Sequence, residues 1–300
     1  MDKLNRTYEL TVQAINGDNL TFKLPYTIEF SVDRNNYSSP NVASITVYNL
    51  APDTRNAIRK DAIDTDKSRR VILKVGYGNN LSTVFDGTLD QCWSARQGTN
   101  FLTKIEARDN GFIYSNTNVT VYYSAGQTIR SVVENIAKQL RQNGLGIGII
   151  GEVPGVFRRA GVKQGLALEI LREITNDTCY IDNNNLFVIS DGEAIIGPYT
   201  EISTATGLIG TPILENTFLK AEIILEPRLL ICQKIKMKSE TGSQKNNPTY
   251  FYGITNFDGD YKVTGIAHRG VISPTIAGSA TTNVVLAGET IAQVYRGLSI

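Results

Sequence analysis

One histidine stands in the 300-residue chain, His268 in the run GIAHRG. A Ser-His-Asp or Cys-His arrangement would have to use it, because the base in such sites is an imidazole. No G-x-S-x-G elbow accompanies it and no local feature marks a serine or cysteine as activated. His268 therefore reads as a strand residue beside a turn. Gly146, Gly148 and Gly151 in GLGIGIIG match the letters of G-x-G-x-x-G. A dinucleotide site needs that run after a strand and at the opening of a helix. Here it follows a helical pattern and leads into EVPG, which reads as a helix stop and a short strand. Asp258 and Asp260 in NFDGDY resemble the start of a calcium loop, but the further ligands and closing glutamate are absent. They read as a turn entering a strand. Cys92, Cys179 and Cys232 are odd in number and far apart, so they form neither a disulfide framework nor a metal knuckle. They read as small buried hydrophobes of a protein made in a reducing cytoplasm. No catalytic, cofactor or metal set emerges.

Charge narrows the partners. Thirty Lys and Arg face 29 Asp and Glu, a net charge of +1. A dedicated nucleic-acid binder usually carries a clear basic excess. Lys67, Arg69 and Arg70 form a local basic knot diluted by Asp64 and Asp66, either a solvated loop or an electrostatic contact to a partner. The first ten residues lack a secretory pattern, and no apolar run approaches the roughly 20 residues needed to span a bilayer.

The elements that must position these residues are mostly strands. YELTVQAI, LTFKL, YTIEFSVDR and NVASITVYNL alternate apolar and polar residues. In the last, Val42, Ser44, Thr46 and Tyr48 share one face, and Ile45, Val47 and Asn49 the other. Pro52 then opens a short helix, PDTRNAIRK, with Ala57 and Ile58 inward. KDAIDTDKSRR is expected to be an exposed connection. RRVILKVGYG, STVFDGTLDQCWSA and NFLTKIEARDNG follow as strands separated by Gly/Asn turns.

The middle changes period. Ile129, Val132, Val133, Ile136, Ala137 and Leu140 form a helical stripe, with Thr128 in its first turn and Gly144 as its stop. QGLALEILREITND predicts a second helix with Leu166, Ile170, Leu171 and Ile174 inward, and TCYIDNNNLFVIS a hairpin turning at 182–185. FLKAEIILEP, RLLICQKIKMKS, GDYKVTGIAHRG and TTNVVLAG return to strands, with residues 240–259 a long polar loop. Ile291, Val294, Tyr295 and Leu298 recur at helical spacing and predict a short C-terminal helix.

The succession IEFSVDR, NVASITVYNLAPDTRNAI, VILKVGYG and VFDGTLD resembles the first domain of bacteriophage baseplate hub proteins. Ile45, Tyr48, Asn49, Leu50, Thr54, Gly76, Tyr77, Phe85 and Gly87 carry the match. AGQTIRSVVENIAKQL, YIDNNNLFVI, TGLIGTP, LEPRLLICQKIKMKS and YKVTGIAHRG continue it in the family's order over most of the chain. One departure is His268-Arg269-Gly270-Val271, where His-x-Gly-Asp is more usual.

The resemblance implies an α+β, mainly β protein: two tail-tube-like antiparallel β-barrel or sandwich domains flanking small α/β modules. The expected division is 1–113, 114–195 and 196–288, with an arm at 289–300. It implies a homotrimeric ring without a catalytic site, in the virion tail, adapting a six-fold tail tube to a three-fold spike. Expected partners are further copies of the chain, the tail tube or its initiator, the spike, and baseplate wedge or neighbouring hub proteins. DNA would only pass through the lumen, and no membrane insertion is expected. Residues 51–70 would be an excursion used against neighbouring subunits. Candidate interface residues are Arg55, Arg69 and Arg70 there, and Ile291, Val294, Tyr295 and Leu298 in the arm. The alternatives are a hub or spike component of a phage-like injection or type VI secretion machine, a tail-associated cell-wall hydrolase, and a carbohydrate-binding module using Tyr122, Tyr123, Tyr250, Phe251 and Tyr252.

Overall fold

The computed structural model describes residues 5–36, 40–61, 68–109, 117–239, 243–244, 257–275, 278–288 and 293–296. The first half holds β1 (Arg6–Gln13), β2 (Asn19–Phe22), β3 (Ile28–Asn35), β4 (Val42–Tyr48), α1 (Pro52–Ile58), β5 (Arg70–Tyr77), β6 (Asn80–Gln97) and β7 (Asn100–Arg108). The middle holds β8 (Asn118–Tyr123), α2 (Ile129–Gln142), β9 (Gly146–Ile150), β10 (Gly161–Leu166), α3 (Ala167–Thr175), β11 (Cys179–Asp182), β12 (Asn185–Val188) and β13 (Glu193–Ile196). The last part holds β14 (Glu201–Ile202), β15 (Leu208–Glu215), β16 (Phe218–Ile224), β17 (Lys234–Met237), β18 (Ser243–Gln244), β19 (Gly259–Ile272), β20 (Ala280–Ala287) and β21 (Gln293–Arg296).

The protein is mainly β, and its dominant feature is one 14-stranded, largely antiparallel sheet. Its order runs β18-β15-β16-β20-β19-β3-β4-β7-β6-β5-β1-β2. The seam between the two halves is β19 against β3, eight residue pairs from Gly265↔Asn35 to Ile272↔Ile28. Period-2 patterning explains the strands. Tyr8, Leu10 and Val12, then Ile28, Phe30 and Val32, then Ala43, Ile45 and Val47 turn to one core, while Ser44, Thr46 and Tyr48 turn outward. Fully burying each large aliphatic is worth roughly 1.5–3 kcal/mol. The same core takes Leu225, Ile272 and Ala280 from the far half, so the two halves pack as well as pair.

The abrupt strand ending at 48–50 has a local cause. Asn49 adopts a left-handed backbone, φ 58°, which asparagine tolerates better than most residues. Its Oδ1 accepts from Phe101 N at 2.9 Å, and Leu50 drops into the core. Pro52 then starts α1, whose Ile58 is fully buried. Two glycines of the motif are sterically required. A Cβ on Gly76 would lie 1.9 Å from the Asn80 carbonyl oxygen, and one on Gly87 2.5 Å from that of Arg108.

In the middle, α2 and α3 cover β8, β9 and the β11–β12 hairpin around a separate core that includes Val133, Ile136, Leu140 and Leu171. Thr128 Oγ1 caps α2 by accepting from Ser131 N at 3.3 Å. Asn183 and Asn184 both take positive φ, the geometry of a two-residue hairpin turn. A third core joins Tyr180, Phe187 and Ile195 to strands β16, β17, β19 and β20.

Three expectations need correction. Residues 164–166 are extended in β10, paired with 118–120 of β8, so the second helix begins at Ala167 rather than at Gln164. The strand expected over RLLICQKIKMKS narrows to Lys234–Met237, because Cys232 turns at φ 60°. Where it is described, at Gln293–Arg296, the C-terminal segment is a strand and not a helix: β21 pairs in parallel with β13. Most of the expected polar loop at 240–259 lies outside the described residues, as do Lys67, Asp64, Asp66, Tyr250, Phe251 and Tyr252.

Candidate functional site

Alternation along β3 places a cation at a core position. Arg34 follows Ile28, Phe30 and Val32 on the buried face and is 3% exposed. An isolated guanidinium there would be very costly, so it must be paired. Its Nε and Nη2 donate to Asp182 Oδ1 and Oδ2 at 2.8 and 2.5 Å, and Nη1 to the Leu229 carbonyl at 3.4 Å. Asn41 Nδ2 donates toward Asp182 Oδ1 at 3.1 Å and Asp109 Oδ2 at 3.2 Å, while its Oδ1 accepts from Asn35 N at 2.9 Å. Asn184 N donates to Asp109 Oδ1 at 3.2 Å. One network thus ties the first β half, the β11–β12 hairpin and the second β half together.

Electrostatics follow from burial. Burial works against the charge of Arg34, but Asp182 outweighs it and raises the guanidinium further. Burial, and then the charge of Asp182, push Asp109 up to about 8, against the hydrogen bonds from Asn184 and Asn41. His268 lies at the seam itself, opposite Val32 on β3 and Thr282 on β20. It is mid-strand rather than beside a turn, fully buried, with Nδ1 2.9 Å from Thr282 Oγ1. Burial and then the Arg34 charge hold it down at about 3, so it is neutral at pH 7.

The outward face of the first half's sheet is polar and charge-balanced. Arg269 pairs with Asp33 at 3.1 Å, Lys104 with Glu106 at 2.8 Å, Arg70 with Asp86 at 2.5 Å and Lys74 with Glu9 at 3.0 Å. Arg108 pairs with Asp90. Exposed pairs add little stability. What they do is cancel the field of each cation locally. A hollow of about 470 Å³ on this face is lined by Glu29, Ser31, Ser44, Thr46, Lys104 and Arg269, among others.

The excursion after β4 is only partly a surface. Arg55 is half-buried, with its guanidinium 4.1 Å over the Phe101 ring. Arg70 is exposed and engaged by Asp86. Arg69, read as part of an exposed connection, is instead 6% exposed. Its Nη1 and Nη2 donate to the carbonyls of Ile58 and Arg59 at 3.3 and 2.6 Å. Those carbonyls end α1 and lack helical partners, so the arginine satisfies them.

The arm docks on its own chain. Glu193 to Ile196 pair in register with Gln293 to Arg296. Tyr295 Oη donates to Glu193 Oε1 at 2.6 Å, and Glu193 also accepts from Glu152 N at 2.7 Å and Ser190 N at 2.8 Å. Burial alone would raise Glu193, but these donors, Tyr295 foremost, hold it below its ordinary value. Tyr295 is pushed up to about 12 by burial and by Glu193. Val294 is placed on β21, while Ile291 and Leu298 lie outside the described residues.

The remaining chemistry-bearing residues are placed as follows. Cys92, Cys179 and Cys232 are free thiols and buried, and burial pushes Cys92 up to about 12 and Cys179 to about 11. Gly146 and Gly148 lie in strand β9, with Gly151 just beyond its end. Asp258 Oδ1 accepts from Ser239 N at 2.8 Å, and Asp260 pairs with Lys234 at 2.8 Å. Among the described residues no group of three or more His, Cys, Asp or Glu could hold a metal, and no helix is long and apolar enough to cross a membrane.

The chain is thus mainly β, with one seam-spanning sheet, small α/β modules between its halves and a parallel strand pairing at Gln293–Arg296. Over residues 9–264 the sequence matches the family described as baseplate hub gp41. The chain belongs to the baseplate hub gp41 family and is a structural component of a phage tail baseplate. No curated protein matches the sequence. Among solved structures it is similar in fold to a tail protein from Neisseria meningitidis MC58, with a TM-score of 0.56 at 9% identity, covering 95% of this chain and 97% of that one. It is similar also to the 43 kDa tail protein of prophage MuSo2 from Shewanella oneidensis, with a TM-score of 0.55 at 9% identity, covering 93% and 97%. A third is a chain of the Francisella PdpA-VgrG complex, with a TM-score of 0.52 at 8% identity, covering 96% of this chain and 53% of that one.

Proposed function

We propose that three copies of this chain form a hub ring that adapts a six-fold tail tube to a three-fold spike. The observation that carries this is the β3–β19 seam, eight residue pairs long. Through it, one subunit presents two β units side by side in one continuous wall, so three subunits present six. The working division is 1–113 and 196–288 for the two tube-like units, 114–195 for the modules between them and 289–300 for the arm. The polar, charge-balanced sheet face suits the lumen. Its cations are already answered by carboxylates, and strong phosphate affinity requires clustered Lys and Arg free to displace counterions. DNA would pass without sticking. Arg55, Arg70 and the arm are kept as subunit or partner contacts, with the tube or its initiator, the spike and the wedge proteins as neighbours. A phage-derived injection machine is the second reading, favoured by the fold likeness to a chain of the Francisella PdpA-VgrG complex.

The test is stoichiometry. The purified chain is mixed with its spike protein and weighed by light scattering across a concentration series. Three copies per complex support the proposal. A persistent monomer with spike present, or six copies, overturns it.

A further inference from the structure

The middle part carries a surface that the hub reading does not use. β8 and β10 form a two-stranded ribbon whose inner face, Val119 and Val121, is buried against α2 and α3. Its outer face is polar at Asn118, Thr120 and Gln164 but turns apolar at the end where β10 begins. Tyr122 and Val162 stand directly opposite each other across the ribbon and are 76% and 54% exposed. Directly opposed residues share a face and touch. Val156, in the loop leading into β10, is 53% exposed.

The same loop carries charge of a kind that differs from the sheet face. Phe157 stacks on Tyr123 with ring centroids 4.0 Å apart, which fixes the loop against the end of β8. Arg158 and Arg159 follow it, both exposed, and neither makes a hydrogen bond or ion pair among the described residues. On the sheet face, Arg70, Lys74, Lys104, Arg108 and Arg269 each have a carboxylate partner. Here two adjacent cations have none, and they precede Val162 by only three and four residues in the chain.

We propose that this ribbon face is a docking site for an acidic polypeptide segment carrying at least one large apolar side chain, from another protein of the tail. The apolar pair supplies area to bury, and aromatic residues and arginines are the side chains enriched where interfaces are strongest. Charge complementarity selects the partner: two unanswered guanidiniums call for carboxylates, which they bind in a fork geometry. A phosphate polymer fits less well. Two cations release few counterions, and Tyr122 with Val162 offers nothing to a phosphate backbone. The choice of a tail protein as partner rests on family membership and not on the trimeric adaptor reading.

The test takes the full-length chain and each purified tail protein of the same particle, pair by pair, by biolayer interferometry. Variants are Arg158→Glu with Arg159→Glu, Tyr122→Ser with Val162→Thr, and a control on the same module, Lys138→Glu with Arg141→Glu. Thermal melts matching wild type certify each variant as folded, since all six side chains are on the surface. One partner is expected to bind wild type and control equally, and each patch variant weaker by roughly tenfold or more. Reversing acidic residues of that partner to lysine should restore binding to the Arg158→Glu, Arg159→Glu variant. The proposal is overturned if no tail protein binds, if the patch variants bind as wild type does, or if patch and control variants lose binding alike. It is also overturned if the patch instead governs binding to duplex DNA or to anionic phospholipid vesicles.

Discussion

Asp182→Asn is the most revealing single change in this molecule. It keeps the size of the side chain and removes one charge from the junction of the three parts. Arg34 would then stay 3% exposed with no anion at bonding distance in place of the 2.8 and 2.5 Å pair. Breaking a buried ion pair by removing one partner costs about 3–5 kcal/mol, because the remaining charge is left uncompensated. That is a large share of a typical stability of about 5–15 kcal/mol. The double change Arg34→Met with Asp182→Leu removes both charges. Replacing a buried pair by apolar groups is often neutral or better, and Asn41 retains Asp109 and the Ile181 carbonyl as acceptors. The double variant should therefore lie within about 1–2 kcal/mol of wild type, well above Asp182→Asn. Urea unfolding at pH 7 gives the free energies. Hydrogen exchange by mass spectrometry should show early opening of the β11–β12 hairpin and β3 in the single variant. A single variant that costs under about 1 kcal/mol, or a double variant that costs the sum of the two single changes, would refute the buried-clamp account.

Other outcomes follow from the same physics. Arg69→Glu should lower the melting temperature of the free subunit by breaking two charged hydrogen bonds of about 1.5–3 kcal/mol each, whereas Arg70→Glu should leave it nearly unchanged; equal effects would contradict the burial of Arg69. Deleting residues 289–300 should destabilise the free subunit, and Tyr295→Phe should cost about 1.5 kcal/mol, the low end for a bond to a charged group, through loss of the bond to Glu193. The Tyr295 value is raised in the folded state, so its contribution is complete below about pH 10 and is lost as pH rises through about 12; an alkaline melt that is the same for wild type and Tyr295→Phe counts against it. His268 has its folded value lowered to about 3, so its contribution is complete above the unfolded value of about 6.5 and is lost as pH falls toward 3. Its imidazole resonances should not titrate between pH 5 and 8, and a midpoint near 6.5 would show the ring to be solvated.

What the chain's sequence made legible was local. The hairpin at Asn183-Asn184 and the strand end at Asn49 rest on residues that accept positive φ, and neighbours in sequence suffice to read them. The α2 stripe is equally local. Arg34 left a signal, a cation in phase with Ile28, Phe30 and Val32, but its partner Asp182 lies 148 residues away and no spacing rule connects them. The β3–β19 seam is hidden for the same reason. Arg69 looked solvated because its run is polar, yet its partners are backbone carbonyls, which sequence does not distinguish. The arm misled most plainly. Apolar residues three or four apart fit a helix, and the strand is selected by the edge of β13 and by Glu193, which accepts from a hydroxyl about 100 residues downstream.

The central claim is that two β units per subunit share one wall, so that three subunits surround the lumen. A cryo-electron microscopy reconstruction of the tail tip tests it most directly. The account predicts three copies in a closed ring, with the β3–β19 seam in the wall and the face bearing Asp33, Lys104, Glu106 and Arg269 turned toward the channel. Six copies in the ring, or a chain sitting outside the tube axis with that face turned away from the channel, would contradict it.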